Sequence, residues 1–399
     1  MHTLESLDVK GKKVLVRVDF NVPFKNGTVT DTSRIEAHKE TLEWLLAQGA
    51  FVTLVSHFGR PKGQVNADYS MAQLISTLQR TLNMTITYVA DCVGPLVEKA
   101  LSAQSHYEVL VLENSRFHAE EEKNDPQFAA QMAAPFDLFV MDAFSAAHRA
   151  NASTEGVAHY LPSAFGRLIG KEIQALDGVA KNPQKPYGVV LGGAKVSDKI
   201  GVIDHLLNLA DKLIIGGGMA FTFLKAQGHA VGKSLVDEER LDYARTVLET
   251  AKAKGVELLL PVDLAAAPSL DEPEKSQIID GVDLPDDLMG LDIGPKTAKL
   301  FAEAIKGCKT LLWNGPMGVF ETAPWDEGSR AVGQALVDAT AAGALTVVGG
   351  GDTASCARKL GFGEALSHLS TGGGASLEYC EGKVLPGIAA VLASPENKK

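Results

Sequence analysis

Short apolar, β-branched segments alternate with segments of helical periodicity along the whole chain, and this alternation limits the possible folds more than any other feature. Stretches such as Ile35–Ala47, which place apolar side chains on one side of a helix, separate several of the strands. Strands that alternate with helices form βαβ units, whose sheets are mainly parallel and covered on both faces. The predicted strands are Lys13–Phe20, Phe51–Val55, Thr85–Val89, Glu108–Leu112, Asp137–Met141, Tyr187–Leu191, Lys212–Ile215, Val256–Leu260, Thr310–Trp313 and Leu345–Val348.

The length of the chain and its glycine distribution predict two domains. At roughly 150 residues per domain, 399 residues suffice for two cores. Residues 1–190 contain 11 glycines and 7 of the 11 arginines, whereas residues 191–399 contain 28 glycines, several of them in clusters. A helix predicted over Leu168–Ala180 ends before Pro183, and we place the boundary there. We therefore predict an α/β fold with two Rossmann-like domains, each a mainly parallel sheet flanked by helices, joined by a hinge helix at residues 168–182.

Composition excludes several classes of protein. The chain is 45% hydrophobic, as in ordinary globular proteins, and no apolar run reaches the roughly 18 residues of a membrane span. A net charge of −11 argues against a nucleic-acid partner. The four cysteines lack zinc-ligand spacing and indicate buried thiols in a reducing compartment. With no secretory signal pattern at the N-terminus, we expect a cytoplasmic protein that binds neither membranes nor nucleic acid.

Cationic side chains follow several predicted strands of the first half. Because the carboxyl ends of parallel strands share one edge of a sheet, these side chains should converge there. A single arginine in such a place is usually a solvated charge, but four of them with two histidines form a pattern that suits a small polyanion. The residues of this predicted small-anion site are Arg34, Arg60, Arg116, Arg149, His57 and His148.

The second half offers glycine-rich loops instead. Leu191–Lys195 leaves a strand and leads to Lys199, four residues further on, which predicts a phosphate site with both lysines on one helical face. Gly349–Thr353 forms a second predicted phosphate loop, in which Asp352 either caps a helix or holds a metal ion. Asn314 ends another strand, with Glu321 nearby to bind ribose hydroxyls. Gly372–Gly374 is either a third phosphate loop or a hinge.

Two glycine motifs resemble known nucleotide-binding signatures without matching them fully. Gly228–Ser234 resembles a P-loop, but Gln227 stands where the first glycine is required and a helical stretch precedes it, so we interpret it as a turn. Gly349–Ala354 fits a relaxed dinucleotide fingerprint that lacks the expected acidic residue further on. It leaves a nicotinamide-dependent dehydrogenase as an alternative, and a non-catalytic two-domain anion binder is another.

Six tracts, in order, resemble the signatures of the phosphoglycerate kinase family, and they extend over residues 17–378. One departure is Ser145-Ala146, where the family commonly has Gly-Thr. The tracts are Arg17–Pro23, Ser56–Pro61, Leu191–Ile200, Gly216–Phe221, Trp313–Glu321 and Ser370–Glu378.

The resemblance implies reversible phosphoryl transfer from 1,3-bisphosphoglycerate to ADP, giving 3-phosphoglycerate and ATP, with Mg²⁺ held near Asp352. It assigns the triose to residues 1–167 and the nucleotide to residues 183–378, with residues 379–399 returning to the first domain. We expect Arg34 and Lys195 to be catalytic. The implied triose-binding residues are Asp19, Phe20, Asn21, Arg34, His57, Phe58, Gly59, Arg60, Arg116 and Arg149. The implied nucleotide-binding residues are Lys195, Lys199, Gly217, Asn314, Glu321, Gly349, Gly350, Gly351, Asp352 and Thr353.

The chemistry implied in this way needs alignment and positive charge. In the ATP-consuming direction the nucleophile is a carboxylate that is already ionised at pH 7, so no general base is required. Ligands on separate domains react only after the domains close, which also excludes water. The hinge residues implied are Glu172, His368, Thr371, Gly372, Gly373 and Gly374, and the resemblance implies a monomer.

Overall fold

The chain divides into two compact units in the computed structural model, which describes residues 2–395. Unit 1 runs to Ile173 and resumes at Val384, whereas unit 2 spans Gln174–Lys383. The division therefore falls inside the helix that the sequence predicts over Leu168–Ala180. Each unit is built on its own six-stranded parallel sheet.

Unit 1 contains a sheet with the strand order β5-β6-β4-β1-β7-β8 and a two-stranded hairpin formed by β2 and β3. Every residue of β7 is buried, as expected for a strand covered by helices on both faces. The strands are β1 (Lys13–Arg17), β2 (Phe24–Lys25), β3 (Thr28–Val29), β4 (Phe51–Val55), β5 (Thr85–Val89), β6 (Glu108–Leu112), β7 (Leu138–Met141) and β8 (Ser163–Phe165). The helices are α1 (Ser33–Ala37), α2 (Lys39–Ala47), α3 (Ile75–Leu82), α4 (Pro95–Ala103), α5 (Ala119–Glu122), α6 (Pro126–Ala133) and α7 (Arg167–Ala180), which continues into unit 2.

Unit 2 contains a parallel sheet with the order β11-β10-β9-β15-β16-β17 and a separate antiparallel sheet with the order β13-β12-β14. The strands are β9 (Tyr187–Leu191), β10 (Lys212–Ile215), β11 (Glu257–Leu259), β12 (Leu264–Ala267), β13 (Gln277–Ile279), β14 (Met289–Ile293), β15 (Thr310–Asn314), β16 (Leu345–Val348) and β17 (His368–Leu369). The helices are α8 (Ile200–Leu206), α9 (Met219–Ala226), α10 (Leu241–Lys254), α11 (Pro295–Ile305), α12 (Glu327–Ala341), α13 (Gly351–Lys359) and α14 (Gly374–Cys380). The last helix, α15 (Pro386–Leu392), belongs to unit 1 and contacts β8.

The main strands predicted from the sequence are confirmed, with small shifts at their ends. The first strand ends at Arg17, three residues earlier than predicted, although Val18 and Phe20 remain fully buried. The single helix predicted over Ile35–Ala47 is wrong, because the chain breaks at His38 into α1 and α2. The antiparallel sheet and the short strands β8 and β17 are not predicted, since none of them combines the length and apolar periodicity that mark a strand.

Candidate functional site

Polar loops follow four neighbouring strands of unit 1. The strands β1, β4, β6 and β7 end at Arg17, Val55, Leu112 and Met141, and because they are parallel their carboxyl ends lie along one edge of the sheet. Five of the six residues predicted to bind a small anion follow β4, β6 or β7, and only Arg34, in α1, does not. The topology alone thus brings together side chains that lie more than 100 residues apart in sequence.

A network centred on Asp19 forms the interior of this edge. The Arg34 guanidinium donates hydrogen bonds to the Asp19 carboxylate at 2.9 Å and to the backbone carbonyl of Asn21 at 3.1 Å. The Asn21 backbone N–H donates to Asp19, and the Asn21 side-chain oxygen accepts from the N–H of Gly59, both at 2.9 Å. The structure therefore brings four of the predicted triose-binding residues into one connected group.

Asp19 is ionised and His57 is neutral in this network. Burial opposes ionisation of Asp19, but electrostatic interactions with His57 and then Arg34, with hydrogen bonds from Ser145 and the Asn21 N–H, hold its pKa at about 2. Burial and neighbouring guanidinium groups hold the pKa of His57 well below its usual range. His57 Nδ1 lies 3.0 Å from an Nη of Arg17, and since arginine only donates, Nδ1 is the acceptor. Arg34 is the cation that hydrogen-bonds the Asp19 carboxylate and helps to keep it ionised.

The remaining predicted arginines belong to the same electrostatic group. Arg116 is buried, donates to the carbonyl of Gly59 at 2.9 Å and lies 3.3 Å from the Glu122 carboxylate. Burial lowers the pKa of Arg116, and the like charges of Arg149 and Arg60 lower it further, as expected for guanidinium groups that face one another. We call Arg17, Arg34, Arg60, Arg116, Arg149 and His57 the arginine cluster.

Phe20 and Phe58 reach this edge through their main chains. The N–H of Phe20 donates to the Ser56 hydroxyl at 2.9 Å, and the N–H of Phe58 donates to the Asn114 side chain at 3.1 Å, while both rings lie in the core of unit 1. His148, predicted with the arginines, is half-buried and accepts a long 3.4 Å hydrogen bond from Arg149.

Two residues at this edge are missed by sequence reasoning. Arg17 reads as the end of a strand, yet its side chain is buried and donates to Ser153 at 2.8 Å as well as to His57. Ser145, noted from the sequence only as a departure from the family pattern, donates a hydrogen bond to the Asp19 carboxylate. An arginine inside an otherwise apolar strand is the sequence signal that could have identified the first.

Glycine backbone takes the place of side chains in unit 2. An added Cβ on Gly192 would lie 2.1 Å from the carbonyl oxygen of Pro316, and one on Gly217 would lie 2.6 Å from the N atom of Gly193. The N–H groups of Gly192 and Gly193 donate to the carbonyls of Asn314 and Pro316 at 3.0 and 3.1 Å. In this predicted phosphate loop, the amides of Gly192 and Gly193 are therefore not free to bind phosphate, because they hold the loops together.

The two lysines of this region are not placed as predicted. Lys195 has extended backbone and precedes a 3₁₀ turn over Val196–Lys199, and the α-helix begins only at Ile200. The two side chains thus do not share one α-helical face. Lys195 is exposed, whereas Lys199 is half-buried and donates to the side-chain oxygen of Asn314. Burial lowers the pKa of Lys199.

The loop over Gly349–Gly351 ends at the N-terminus of α13. Gly350 precedes the helix with a φ of +90°, a conformation that favours glycine, and the first amides of α13 have no partner within the helix. The Asn314 amide donates to the carbonyl of Gly349 at 2.8 Å, and the Thr353 hydroxyl accepts from the N–H of Gly315 at 2.7 Å. Both side chains therefore fix the loop.

Asp352 lies in the first turn of α13, inside the helix, whereas the N-cap position is occupied by Gly350. Of the two roles that the sequence allows for it, the geometry thus disfavours capping. Its carboxylate is exposed and lies close enough to Lys199 to raise that lysine's pKa against the effect of burial.

A pocket of about 270 Å³ lies beside these loops in unit 2. Gly217, Glu321 and Asp352, three of the predicted nucleotide-binding residues, line it. Most of its remaining wall is apolar and was not predicted, because its residues read as ordinary core or loop positions. They include Phe221, Leu235, Leu264, Leu291, Val319 and Phe320.

The predicted hinge residues are distributed over several elements. Glu172 is buried within α7, and His368 begins β17. Thr371–Gly373 connects β17 to α14, which begins at Gly374. Gly373 has a φ of +53°, and an added Cβ would find open space there.

All four cysteines are free and buried. Within residues 2–395, the one group of three metal-ligating side chains is Asp91, Cys92 and His118, whose ligand atoms lie within 4.8 Å of one another. His118 and Asp91 already hydrogen-bond each other at 2.8 Å, and burial holds the pKa of Cys92 well above its usual range. This group belongs to unit 1, whereas Asp352 belongs to unit 2.

The two sites together define a class of protein. One unit presents guanidinium groups that suit a small polyanion, and the other presents a glycine-built loop, a helix N-terminus and an apolar pocket, which suit a nucleotide. Such a pair is typical of a phosphotransferase that acts on a small anionic metabolite with a nucleotide.

Comparison with known proteins identifies the family. The family model described as phosphoglycerate kinase matches residues 4–383. A phosphoglycerate kinase of Microcystis aeruginosa is 51% identical over 391 residues, covering 97% of each chain, and one of Moorella thermoacetica is 51% identical, covering 98% of each. The solved phosphoglycerate kinase of Coxiella burnetii superimposes with a TM-score of 0.88 at 39% identity, and that of Pyrococcus horikoshii with 0.83 at 31%, each covering 98% of both chains. The chain belongs to the phosphoglycerate kinase family.

The activity follows from this membership. The enzyme transfers a phosphoryl group reversibly between the carboxyl group of 3-phosphoglycerate and the nucleotide pair ADP/ATP, with Mg²⁺ as the family's cofactor. The dehydrogenase and the non-catalytic binder left open by the sequence are thereby set aside. In residues 2–395, every helix is too short or too polar to cross a bilayer.

Proposed function

We propose that the two ligands are divided between the units, with the triose bound by the arginine cluster of unit 1 and the nucleotide by the glycine loops and pocket of unit 2. The observation that carries this proposal is the convergence of guanidinium groups in unit 1. The positive charges of Arg149 and Arg60 lie close enough to Arg116 to lower its pKa. Like charges held together in this way are stabilised when an anion lies between them. The apolar walls of the unit 2 pocket suit the faces of a nucleobase.

The proposed triose site comprises Asp19, Phe20, Asn21, Arg34, His57, Phe58, Gly59, Arg60, Arg116 and Arg149. Arg34, with a side chain 38% exposed, combines a fixed position with access to ligand. The neutral His57 can donate from its Nε2 to a carboxylate or phosphate oxygen, because its Nδ1 accepts from Arg17. Phe20 and Phe58 contribute by holding the loops in place.

In the proposed nucleotide site, Lys195, Lys199 and the first turn of α13 bind phosphates, Glu321 binds the ribose and Gly217 lines the base pocket. Lys199 is held by Asn314, which in turn holds the Gly349–Gly351 loop. Lys195, exposed and free to reorient, is proposed to stabilise the transferred phosphoryl group from the nucleotide site. Arg34 is proposed to stabilise the same group from the triose site. A carboxylate nucleophile needs no base, so a site built from cations and backbone amides suffices.

Asp352 fits the role of magnesium ligand. Mg²⁺ is usually bound by one or two carboxylates together with substrate phosphates and water. Asp352 supplies one exposed carboxylate beside the phosphate loop and is not used as a helix cap. When bound, Mg²⁺ would neutralise phosphate charge.

Hinge bending is typical of this family, and we propose Glu172, His368 and the segment Thr371–Gly374 as its hinge in this chain. The open space around Gly373 supports this assignment. We further propose a cytoplasmic monomer without nucleic-acid partners, with residues 168–182 as the hinge helix between a triose domain and a nucleotide domain. Four free, buried thiols and the net charge of −11 support that assignment.

Replacement of Lys195 by alanine tests the catalytic part of the proposal. Loss of a cation that acts on the transition state should lower kcat by more than about 100-fold, with a modest change in KM. The measurement is steady-state kinetics with 3-phosphoglycerate and MgATP. Lys233→Ala is the matched control, because Lys233 is an exposed lysine of the P-loop-like segment. A Lys195→Ala enzyme with normal kcat and raised KM would limit Lys195 to binding.

A further inference from the structure

A buried histidine–aspartate pair lies beneath the triose site and has no part in the roles proposed above. His38 and Asp142 have relative exposures of 1% and 0%. His38 Nδ1 lies 2.8 Å from Asp142 Oδ2, and His38 Nε2 lies 2.9 Å from the backbone N of Asp19. His38 thus bridges two residues that are 123 positions apart (142 minus 19).

The direction of the hydrogen bonds fixes the tautomer of His38. The Asp19 backbone N–H can only donate, so Nε2 is the acceptor and carries no proton. The ring proton is then on Nδ1, from which it donates to the Asp142 carboxylate. A ring held at both nitrogens in this way cannot rotate, and it orients the main chain at Asp19.

The main chain held by His38 carries the carboxylate that positions Arg34. The Asp19 side chain accepts from Arg34 at 2.9 Å, from the Asn21 N–H at 2.9 Å and from Ser145. A shift of the Asp19 main chain would therefore move the carboxylate and, with it, the guanidinium group that it holds.

Hydrogen bonds also connect Asp142, the partner of His38, to the start of α7. The other oxygen of Asp142 accepts from the N–H of Leu168 at 3.1 Å, and the hydroxyl of the buried Thr41 accepts from the N–H of Arg167 at 2.9 Å. An added Cβ on Gly166 would lie 1.9 Å from the Asp142 carboxylate, so there is no room for it to move. Asp142 is thus fixed from one side by α7 and presents its free edge to His38.

We propose that His38 is a positioning residue of the triose site, which orients Asp19 through its Nε2 and is itself oriented by Asp142. The inference rests on the proposed function, because it assumes that Asp19 and Arg34 bind the triose. It goes beyond that function, since His38 lies in the break between α1 and α2, where only its buried ring connects it to the site.

Isothermal titration calorimetry on the full chain tests this role. For His38→Ala we expect the Kd of 3-phosphoglycerate to rise about tenfold, the effect of losing a buried hydrogen bond, while the Kd of MgADP is unchanged. His38→Gln, whose amide can both accept and donate, should recover affinity to within about threefold of the parent. Unchanged affinity for 3-phosphoglycerate in His38→Ala, or no recovery in His38→Gln, would overturn the proposal.

Two further variants separate this proposal from the one on which it rests. Thr41→Val removes a buried hydrogen bond between α2 and the start of α7, three residues after His38 and without contact to Asp19, and should leave both affinities unchanged. Weakened triose binding in this variant would reduce His38 to a general structural role. Arg34→Ala should weaken 3-phosphoglycerate binding. If it does and His38→Ala does not, only the positioning role fails, whereas normal binding in Arg34→Ala would overturn both proposals.

The parent protein provides a test that no folding defect can obscure. Nitrogen-15 NMR of histidine-labelled protein should show His38 with a protonated Nδ1 and an unprotonated Nε2. A proton on Nε2 would exclude the hydrogen bond from the Asp19 N–H and overturn the proposal.

Discussion

Unit 1 and unit 2 use the same kind of parallel sheet to build opposite kinds of anion site. In unit 1, long cationic side chains are held in place by other side chains, as Arg34 is by Asp19. In unit 2, glycines allow one main chain to approach another, as Gly192 does Pro316. Charged side chains that point in fixed directions suit a small, highly charged triose. A pocket of fitting shape and backbone amides suit a nucleotide.

Two buried aspartates show the same contrast. Interactions with His57 and Arg34, together with hydrogen bonds, hold the pKa of Asp19 in unit 1 at about 2, although burial opposes this. Burial raises the pKa of Asp292 in unit 2 to about 8, despite backbone hydrogen bonds from Gly328 and Ile293. Asp292 lines the pocket, where no basic side chain is found among the lining residues. The cations of unit 1 therefore keep the Asp19 carboxylate ionised, in addition to their proposed role in binding the triose.

The largest expected effect comes from adding one methyl group to the backbone site. In Gly192→Ala the new Cβ would overlap the Pro316 carbonyl oxygen, which is main chain and cannot swing away. We expect unit 2 to be destabilised by roughly 3 kcal/mol or more and nucleotide binding to be lost. Urea unfolding followed by tryptophan fluorescence and calorimetry with MgADP provide the measurements.

Gly351→Ala is the control for Gly192→Ala, because its added Cβ meets nothing within 4 Å and its backbone is not left-handed. We expect normal stability for this variant. If Gly192→Ala is as stable as Gly351→Ala, the close backbone approach does not define the unit 2 site.

The next effect concerns side-chain charge. Arg116→Ala removes a buried guanidinium group of the cluster and should raise the Kd of 3-phosphoglycerate about 100-fold, with the Kd of MgADP unchanged. Calorimetry with each ligand separately makes this measurement. Arg80→Ala, which removes an exposed arginine of α3, should change neither affinity. Parallel losses for both ligands in Arg116→Ala would argue against the division between the units.

The smallest effect is a change in stability per pH unit, and it distinguishes the two aspartates. The native state keeps a proton on Asp292 up to about pH 8, whereas the unfolded state loses it near pH 3.8, so the protein loses stability as the pH rises between these values. Asp292→Asn lacks this titration. We expect the variant to gain up to about 1.4 kcal/mol on the parent for each pH unit between pH 5 and pH 8, measured by urea unfolding. A stability difference independent of pH would show that Asp292 is ionised in the pocket.

Most of the parallel architecture could be predicted, because long, strongly apolar strands such as β9 are buried by helices on both faces and leave a clear pattern. The break between α1 and α2 at His38 could not be predicted, since the apolar helical pattern continues across it. The antiparallel sheet of unit 2 was missed because β12 is mostly alanine, which has no strand preference.

Some features of the candidate site could likewise be predicted from the sequence, and others could not. Arginines after strands could be identified, because a charge at the end of an apolar run is conspicuous, and their convergence follows from the topology. The use of the Gly192 and Gly193 amides within the chain could not, since sequence does not show which main chains approach each other. Ser145 was visible only as a departure, and its role became clear from its hydrogen bond to Asp19.

The division of the ligands is tested most directly by diffraction from crystals of the full chain soaked with 3-phosphoglycerate alone. The account predicts density for the ligand among Arg34, Arg60, Arg116 and Arg149, with the glycine loops of unit 2 unchanged. Density for the triose at the Gly349–Gly351 loop, with the arginine cluster unoccupied, would contradict it.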